Sequence, residues 1–411
     1  MVRVANNRTV EGDIPVKREA VIVSAVRTPF GAFGGGLKEL AATDLGAVAI
    51  REAVRRAGLT GREAEIDNVF MGQVVQAAAG QIPSRQATYK AGLPVSVPSE
   101  TVNKVCASSL RAVNLADMMI RAGDAEIVVA GGMESMSNAP FYLTKVRWGL
   151  RMGSGEIIDA VVHDGLTCAF GGCHMGVYGS EVAAEFGISR QAQDEWAFRS
   201  HQRAMAAWDG GRFADEVIPV PVPQRKGDPV PFGADESIRR ETSLEKLAGL
   251  KPAFQKDGTV TAGNAPGLSD GASALVVMSR ERAEALGLEI LATIVGQGQY
   301  SEEPKYLHTV PARAGFQALK KAGLAAKDLN LVEINEAFAA VTLTSIKLLE
   351  CSPEIVNVNG GAVALGHPIG ASGGRILMHL VYELRRRGGG YGLAAICSGG
   401  GQGEATVVRV G

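Results

Sequence analysis

The sequence predicts a layered α/β fold made of two similar halves. Strand and helix signals alternate at both ends of the chain. Two stretches near the start are matched by two near the end, and a proline-rich region of different character lies between them.

The first half begins with Ala20 to Ser24, a short apolar, β-branched run. Asp44 to Ala57 has helical periodicity, with Leu45, Val48, Ala49 and Ala53 on one stripe and Gly58 as its stop. Asn68 to Gln73 reads as a strand, and Ser108 to Arg121 as a strongly apolar helix. Glu126 to Ala130 is a buried strand that ends in Gly131-Gly132. The second half repeats this grammar: helix Pro311 to Ala322 with Gly323 as stop, strand Leu329 to Ile334, helix Ala337 to Leu349. Strand Ile355 to Val358, helix Ala371 to Arg387 and strand Leu393 to Cys397 follow. Ala57-Gly58-Leu59 before the strand at Val69 mirrors Ala322-Gly323-Leu324 before the strand at Val332. The helix, strand and glycine pair at 108–132 mirror those at 371–400.

Between the halves, roughly 135 to 268, lie Pro219, Pro221, Pro223, Pro229 and Pro231 and the basic residues Arg225, Lys226, Arg239, Arg240, Lys246 and Lys251. Prolines this dense exclude long helices and central strands there. The region reads as an inserted, loop-rich lobe that could cover a site.

Composition narrows the function classes. The 411 residues are 46% hydrophobic and 21% charged, with 42 basic against 43 acidic residues, so no nucleic-acid or membrane footprint is visible. No apolar run approaches the ~18 residues of a membrane span. The first twenty residues mix Arg3, Arg8, Lys17 and Arg18 with Glu11, Asp13 and Glu19 and lack an apolar core, which argues against a secretory signal. The ending Val408-Arg409-Val410-Gly411 is not a peroxisomal tail, so the cytoplasm is the expected location. Five cysteines without a Cys-x-x-Cys pair predict free thiols in a reducing compartment. The 52 glycines are about twice an average usage of ~7%. Their clusters Gly34-Gly35-Gly36, Gly360-Gly361 and Gly399-Gly400-Gly401 read as tight turns around ligands.

Cys106 stands just before the helix at Ser108, where the positive end of the helix dipole would lower a thiol toward ~3.5 to ~7.5. A buried inert cysteine is the competing reading. His367 is held between Gly366 and Pro368 ahead of a helix, a suitable setting for a base. Cys397 ends an apolar strand and meets Ser398-Gly399-Gly400, where small residues let backbone N–H groups reach a substrate oxygen. Asn335, at a strand-to-helix junction, could simply be a helix N-cap. Cys168, Cys173 and His174 have no metal-site spacing. No glycine fingerprint points to a nicotinamide cofactor.

Taken together, these segments resemble the thiolase family. Asn103-Lys104-Val105-Cys106-Ala107-Ser108-Ser109-Leu110-Arg111 is similar to the thiolase nucleophile motif. Gly131-Gly132-Met133-Glu134-Ser135-Met136-Ser137 resembles the signature after the next strand. Asn335-Glu336-Ala337-Phe338, Gly366-His367-Pro368-Ile369-Gly370 and Cys397 with its glycines resemble the remaining three, in order and spacing. The resemblance runs from about Ala20 to the end.

It implies a duplicated five-layered αβαβα fold: residues 1–134 with 269–289 as one half, 290–411 as the other, and 135–268 as an inserted loop domain that lids coenzyme A. It implies ping-pong acyl transfer, reversibly condensing two acetyl-coenzyme A to acetoacetyl-coenzyme A and coenzyme A. Cys106 would carry the acyl group, His367 would activate it, and Cys397 would exchange a proton with the substrate α-carbon or the leaving coenzyme A. One oxyanion hole would use His367 and a water on Asn335, the other the N–H groups of Cys106 and Gly399. His174 and Met175 resemble the short-chain branch. Phe254, Leu307 and Phe338 fall at pocket positions, and Arg240, Lys246 and Ala265 where relatives contact coenzyme A. Pro266 replaces a serine, Leu307 a methionine, and His201 the tyrosine of potassium-activated members, so potassium dependence is not expected. The resemblance implies no permanently bound cofactor, no metal and a homodimer or homotetramer. The rival readings are a degradative 3-ketoacyl thiolase for longer chains and a non-catalytic, thiolase-like lipid-binding protein.

Overall fold

The computed structural model describes residues 18–411. The seventeen residues before that, including most of those read for a leader, lie outside the described residues.

The first half contributes β1 (Ala20–Arg27), α1 (Ala42–Arg56), β2 (Asn68–Gly72), β3 (Ser99–Val102), α2 (Ser108–Ala122), β4 (Ile127–Ser135) and, after the inserted lobe, β5 (Ser269–Ser279). The lobe carries α3 (Met175–Glu185) and α4 (Arg190–Asp209). The second half supplies β6 (Ala292–Ser301), α5 (Val310–Ala322), β7 (Leu331–Ile334), α6 (Ala339–Leu349), α7 (Ser372–Arg386), β8 (Gly390–Ser398) and β9 (Gln402–Val410).

These nine strands run β7-β8-β9-β6-β1-β5-β4-β2-β3, and the two-residue strand Gly31–Ala32 adds to β5. Within the first half β2 pairs in parallel with β3 and β4, while β5 is antiparallel to β4 and β1. In the second half β7 and β8 are parallel, and β9 is antiparallel to β8 and β6. So β1, β2, β4 and β5 correspond to β6, β7, β8 and β9. The strands of the two halves pair at Val21–Thr293 and Ile22–Ala292.

Alternation along the strands explains the layers, because neighbouring side chains point to opposite faces. Val128 and Leu275 of the first half, with Ile294, Ile396 and Val408 of the second, face one core. Leu110, Val113 and Ile120 of α2 and Ile376, Leu380 and Leu384 of α7 fill it. Val129 and Val276 face outward onto Leu45 and Ile50 of α1. Ile334, Leu393 and Val407 face outward onto Leu319 of α5 and Leu349 of α6. The order is helix, sheet, paired helices, sheet, helix: five layers. Each buried leucine or isoleucine stabilises it by about 1.5–3 kcal/mol.

The structure departs from the sequence reading at four places. The strand that follows α2 does not end at Gly131-Gly132; it continues to Ser135. A Cβ on Gly131 would meet the Ser273 carbonyl at 2.0 Å, and one on Gly132 the Gly370 carbonyl at 1.9 Å. The pair therefore admits a close crossing of backbone instead of making a turn. Second, Ile355 to Val358 forms no strand. Val356 makes one bridge to Val332, and the Asn357 side chain bonds both the N–H and the C=O of Ile334 at 2.8 Å, capping that edge. Third, the lobe is loop-rich over much of its length, with its prolines by the small hairpin Val220–Val222/Val230–Phe232, but it also holds long helix: α4 alone has 20 residues. Fourth, of the three glycine clusters only the one at Gly399 lines the cavity that holds Cys106. Gly36 instead donates its N–H to Glu236.

Buried polar contacts fasten the lobe to both halves. Arg27 bonds Glu216 at 2.7 Å and Asp235 at 2.7 and 3.0 Å, and His379 of α7 bonds Glu216 at 3.0 Å. No helix among the described residues is long and apolar enough to cross a membrane.

Gly132→Ala should cost about 1–3 kcal/mol, because the new methyl meets backbone and not a yielding side chain. At roughly 2–4 °C per kcal/mol in a domain of this class, scanning calorimetry should read a clear fall in Tm. An unchanged Tm would show that the turn at Gly370 gives way freely.

Candidate active site

The site forms where the sequence halves exchange their loops. Cys106 precedes α2, and His367 precedes α7, the partner of α2 in the central layer. Cys397 closes β8. All three line one cavity of about 420 Å³, with Gly399, His174, Met175, Phe254, Ala265, Leu307 and Phe338. Ten of the thirteen expected site residues therefore share one space.

Asn335, Arg240 and Lys246 do not line it. Asn335 is fully buried behind His367, with its Nδ2 at 3.5 Å from His367 Nε2. It is not an N-cap, since α6 starts four residues later and Phe338 holds that position. Arg240 and Lys246 line an adjacent groove of about 410 Å³. There Arg240 pairs with Asp209 at 2.7 Å, and Lys246 Nζ donates to the Glu241 carbonyl at 2.6 Å. Arg239 lines both spaces and so connects them. Its N–H donates to Nδ1 of buried His201 at 3.1 Å; burial and Arg239 lower that imidazole to about 4.

Cys106 is reached through a strained turn. Val105 has φ +43°, a left-handed conformation unusual for a β-branched residue. Asn103 Oδ1 accepts from the Val105 N–H at 3.0 Å, and Ser108 Oγ donates to the Val105 carbonyl at 2.6 Å, fixing the turn from both sides. The thiol is 5% exposed. The expected low-pKa thiolate is not present. Burial, with a smaller push from Glu134, raises Cys106 to about 12. The helix starts only at Ser108, too far along for its free N–H groups to overcome the loss of water.

The base is set by a chain of short bonds. Ser372 Oγ donates its one proton to the Pro368 carbonyl at 2.9 Å, so it accepts from His367 Nδ1–H at 2.5 Å. That makes Nε2 the unprotonated nitrogen, with Asn335 Nδ2 3.5 Å from it. Burial, then buried Arg375, depresses His367 to about 3, so it stays neutral. Arg375 is itself held by Glu333 at 3.2 Å and by Asn335 Oδ1 at 3.4 Å. Burial and the neighbouring Cys106 push Cys397 well above an ordinary thiol.

The acyl end is walled by aromatic groups. His174 stacks on Phe254 with ring centres 4.1 Å apart, and Phe254 meets Phe338 edge-on at 6.2 Å. His174 Nδ1 accepts from the Gly176 N–H and so caps α3. A Cβ on Gly176 would lie 2.1 Å from Phe254, which is why glycine follows Met175. Pro266 lines the cavity and brings no hydroxyl to it.

Sequence reasoning assigned no part to Arg239, Ser372, Arg375 or Glu134. Fully buried Glu134 accepts from Val74 at 3.0 Å, Val75 at 3.2 Å and Gly370 at 3.0 Å. It ties the Cys106 half to the His367 turn. The only signal was its place in Gly-Gly-Met-Glu, where a charge ends an apolar strand. Glu336 plays a comparable part behind Asn335, accepting from Trp196, Ser200, Asn357 and Val363.

The family model described as Thiolase, N-terminal domain, matches residues 20–281, and that for the C-terminal domain matches 288–410. The chain belongs to the thiolase family. Among curated thiolases, an acetyl-CoA acetyltransferase of Chromobacterium violaceum is 51% identical over 391 residues, covering 95% of this chain and 99% of that one. Proteins of the same name from Cupriavidus necator (51%, 95% and 99%) and Pseudomonas aeruginosa (49%, 94% and 98%) match almost as fully.

A raised Cys106 pKa has a direct readout. Thiolate forms only as pH rises toward the pKa, so the rate of Cys106 alkylation by iodoacetamide should still be climbing at about pH 10. A plateau below about pH 7.5, scored by mass spectrometry of the Cys106 peptide, would restore the low-pKa thiolate.

Proposed function

We propose that this thiolase is an acetyl-CoA C-acetyltransferase that forms and cleaves acetoacetyl-coenzyme A through an acyl thioester on Cys106. The observation that carries the reading is one cavity lined by two thiols, a neutral imidazole and an apolar wall. Relatives matched over almost their whole length bear that name.

The resting trio is uncharged. Proton transfer from Cys106, raised to about 12, to His367, lowered to about 3, is uphill on its own. It becomes accessible as sulfur attacks a thioester carbonyl, because the negative charge then moves to the carbonyl oxygen. Asn335 supports one oxyanion position beside His367, and the N–H groups of Cys106 and Gly399 support the other. The tetrahedral adduct collapses to acyl-Cys106, and the leaving coenzyme A thiolate takes its proton from Cys397. In the second half-reaction the Cys397 thiolate so formed removes the α-proton of acetyl-coenzyme A and is a thiol again. The resulting carbanion attacks the acyl carbon, and Cys106 leaves as thiolate and takes back its proton from His367. Running backwards, the same steps are thiolysis.

Coenzyme A is substrate here, and no permanently bound cofactor is called for. Its pantetheine would enter past Arg239, with its phosphates over the groove of Arg240 and Lys246. Met175 and the His174–Phe254 stack favour a two- or four-carbon acyl chain. The same reading takes a cytoplasmic homodimer or homotetramer; Trp148 and Met152, 84% and 96% exposed beside the hairpin Phe141–Leu143/Ile157–Asp159, are apolar surface that assembly would cover.

The test is thiolysis of acetoacetyl-coenzyme A and a 3-ketoacyl series, followed by loss of enolate absorbance. A sharp four-carbon preference is expected. Equal or higher rates on longer chains would move the protein to the broad-range degradative class, with Leu307 as the first residue to change. Cys106→Ala should lower kcat by about 10⁴-fold or more, and intact mass should show no acetyl adduct.

A further inference from the structure

The lobe holds a second pair of thiols that the acyl-transfer chemistry does not use. Cys168 and Cys173 flank an exposed four-residue turn. Thr167 and His174 face each other across an isolated antiparallel bridge, so Cys168 and Cys173 are the next opposed pair. The Cys168 N–H bonds the Cys173 carbonyl at 2.9 Å, which fixes that register. Directly opposed antiparallel residues have Cα atoms about 4.5–5.5 Å apart and side chains on one face. A disulfide takes Cα separations of about 4.4–6.8 Å.

The sulfurs converge on Gly171. Its N–H approaches Cys168 Sγ at 3.5 Å, and a Cβ built on it would lie 3.7 Å from Cys173 Sγ and 1.7 Å from the Tyr178 hydroxyl. Only glycine leaves this space open. The neighbouring sulfurs of Cys173 and Cys168 raise the Tyr178 hydroxyl above an ordinary phenol. Cys173 is partly exposed and Cys168 is buried, the division expected between an attacking and a resolving thiol. Gly172, at φ +65°, supplies the turn with the freedom to close the last few tenths of an ångström.

We propose that Cys168 and Cys173 form a modification site, a thiol pair that hydrogen peroxide oxidises to an intramolecular disulfide. The Cys173 thiolate attacks the peroxide oxygen; an S–O bond forms, the O–O bond breaks, and hydroxide leaves as water. The Cys168 thiol then attacks the same sulfur. The S–S bond forms, the S–O bond breaks, and a second water carries off the remaining proton. Two thiols lose two electrons and two protons, and peroxide takes both.

The cross-link would sit at the rim of the acyl pocket. Its loop runs into His174 and Met175, its tip Phe170 lies 3.5 Å from a Cβ position on Gly400, and Cys168 packs in one cluster with Met175, Leu307 and Cys397. A metal reading is weaker, since among the described residues no three His, Cys, Asp or Glu side chains gather.

Residues 152–190 contain these two cysteines, no other cysteine, and no Lys or Arg before Arg190, so trypsin releases them as one peptide. After mild hydrogen peroxide treatment of the whole protein, that peptide should be about 2 Da lighter and return to its mass with dithiothreitol. Cys173→Ser should abolish the loss and keep thiolysis activity. The proposal is overturned if the peptide instead gains oxygen at one cysteine while the other still alkylates, or if it keeps its mass while the Cys106 and Cys397 peptides oxidise. The mass readout does not depend on acyl transfer, so a failure here leaves the proposed reaction untouched.

Discussion

A single buried carboxyl group holds the two sequence halves in catalytic register. Glu134 takes three backbone N–H groups, two from the loop after β2 and one from the turn after His367. Burial raises it to about 8, against the bonds that favour its charge. It sits where Gly132 lets β4 pass against that turn. Leaving one of those donors unpartnered would cost about 1–3 kcal/mol, and the turn it loosens carries the base. Nucleophile and base come from segments 261 positions apart in the chain, so their alignment rests on this contact and on the packing of α2 against α7.

The electrostatics of the site follow from its dryness. Burial raises both thiols and lowers the imidazole, and each shift favours the neutral form. Charge therefore has no stable home until a substrate carbonyl accepts it. A site of this kind keeps its nucleophile quiet in the absence of substrate and concentrates its stabilisation on the transition state. The arrangement behind His367 supports this: Arg375, held by Glu333 and Asn335, adds to the burial that keeps the imidazole neutral.

Much of this was legible in the residues. The repeated grammar of strand, helix and glycine pair anticipated the halves, and five ordered motifs brought Cys106, His367 and Cys397 together. What escaped were effects of tertiary context. A helix-end argument for Cys106 could not weigh desolvation, which won. Ile355 to Val358 looks like a strand, but Asn357 satisfies the edge with its side chain. Arg239 was read only as part of a basic cluster, since nothing in linear order shows that it borders two cavities. Glu134 was visible as a letter of a motif, but its work lies in bonds to backbone far away in sequence, which periodicity does not encode; Ser372 was visible only as part of a helix.

The paired helices in the middle layer also bear on biosynthesis. α7 enters near the end of the chain, after α2 has been made and exposed. Until it arrives, the inner face of the first half-sheet and the apolar side of α2 have no cover. Long-range closure of this sort is slow and leaves sticky surface in the waiting state. The nascent first half is thus the stage at which aggregation competes with maturation, and the stage at which a chaperone would be of most use. The reactive centre is assembled only when that wait ends, so no half-made chain carries a working thiol and base together.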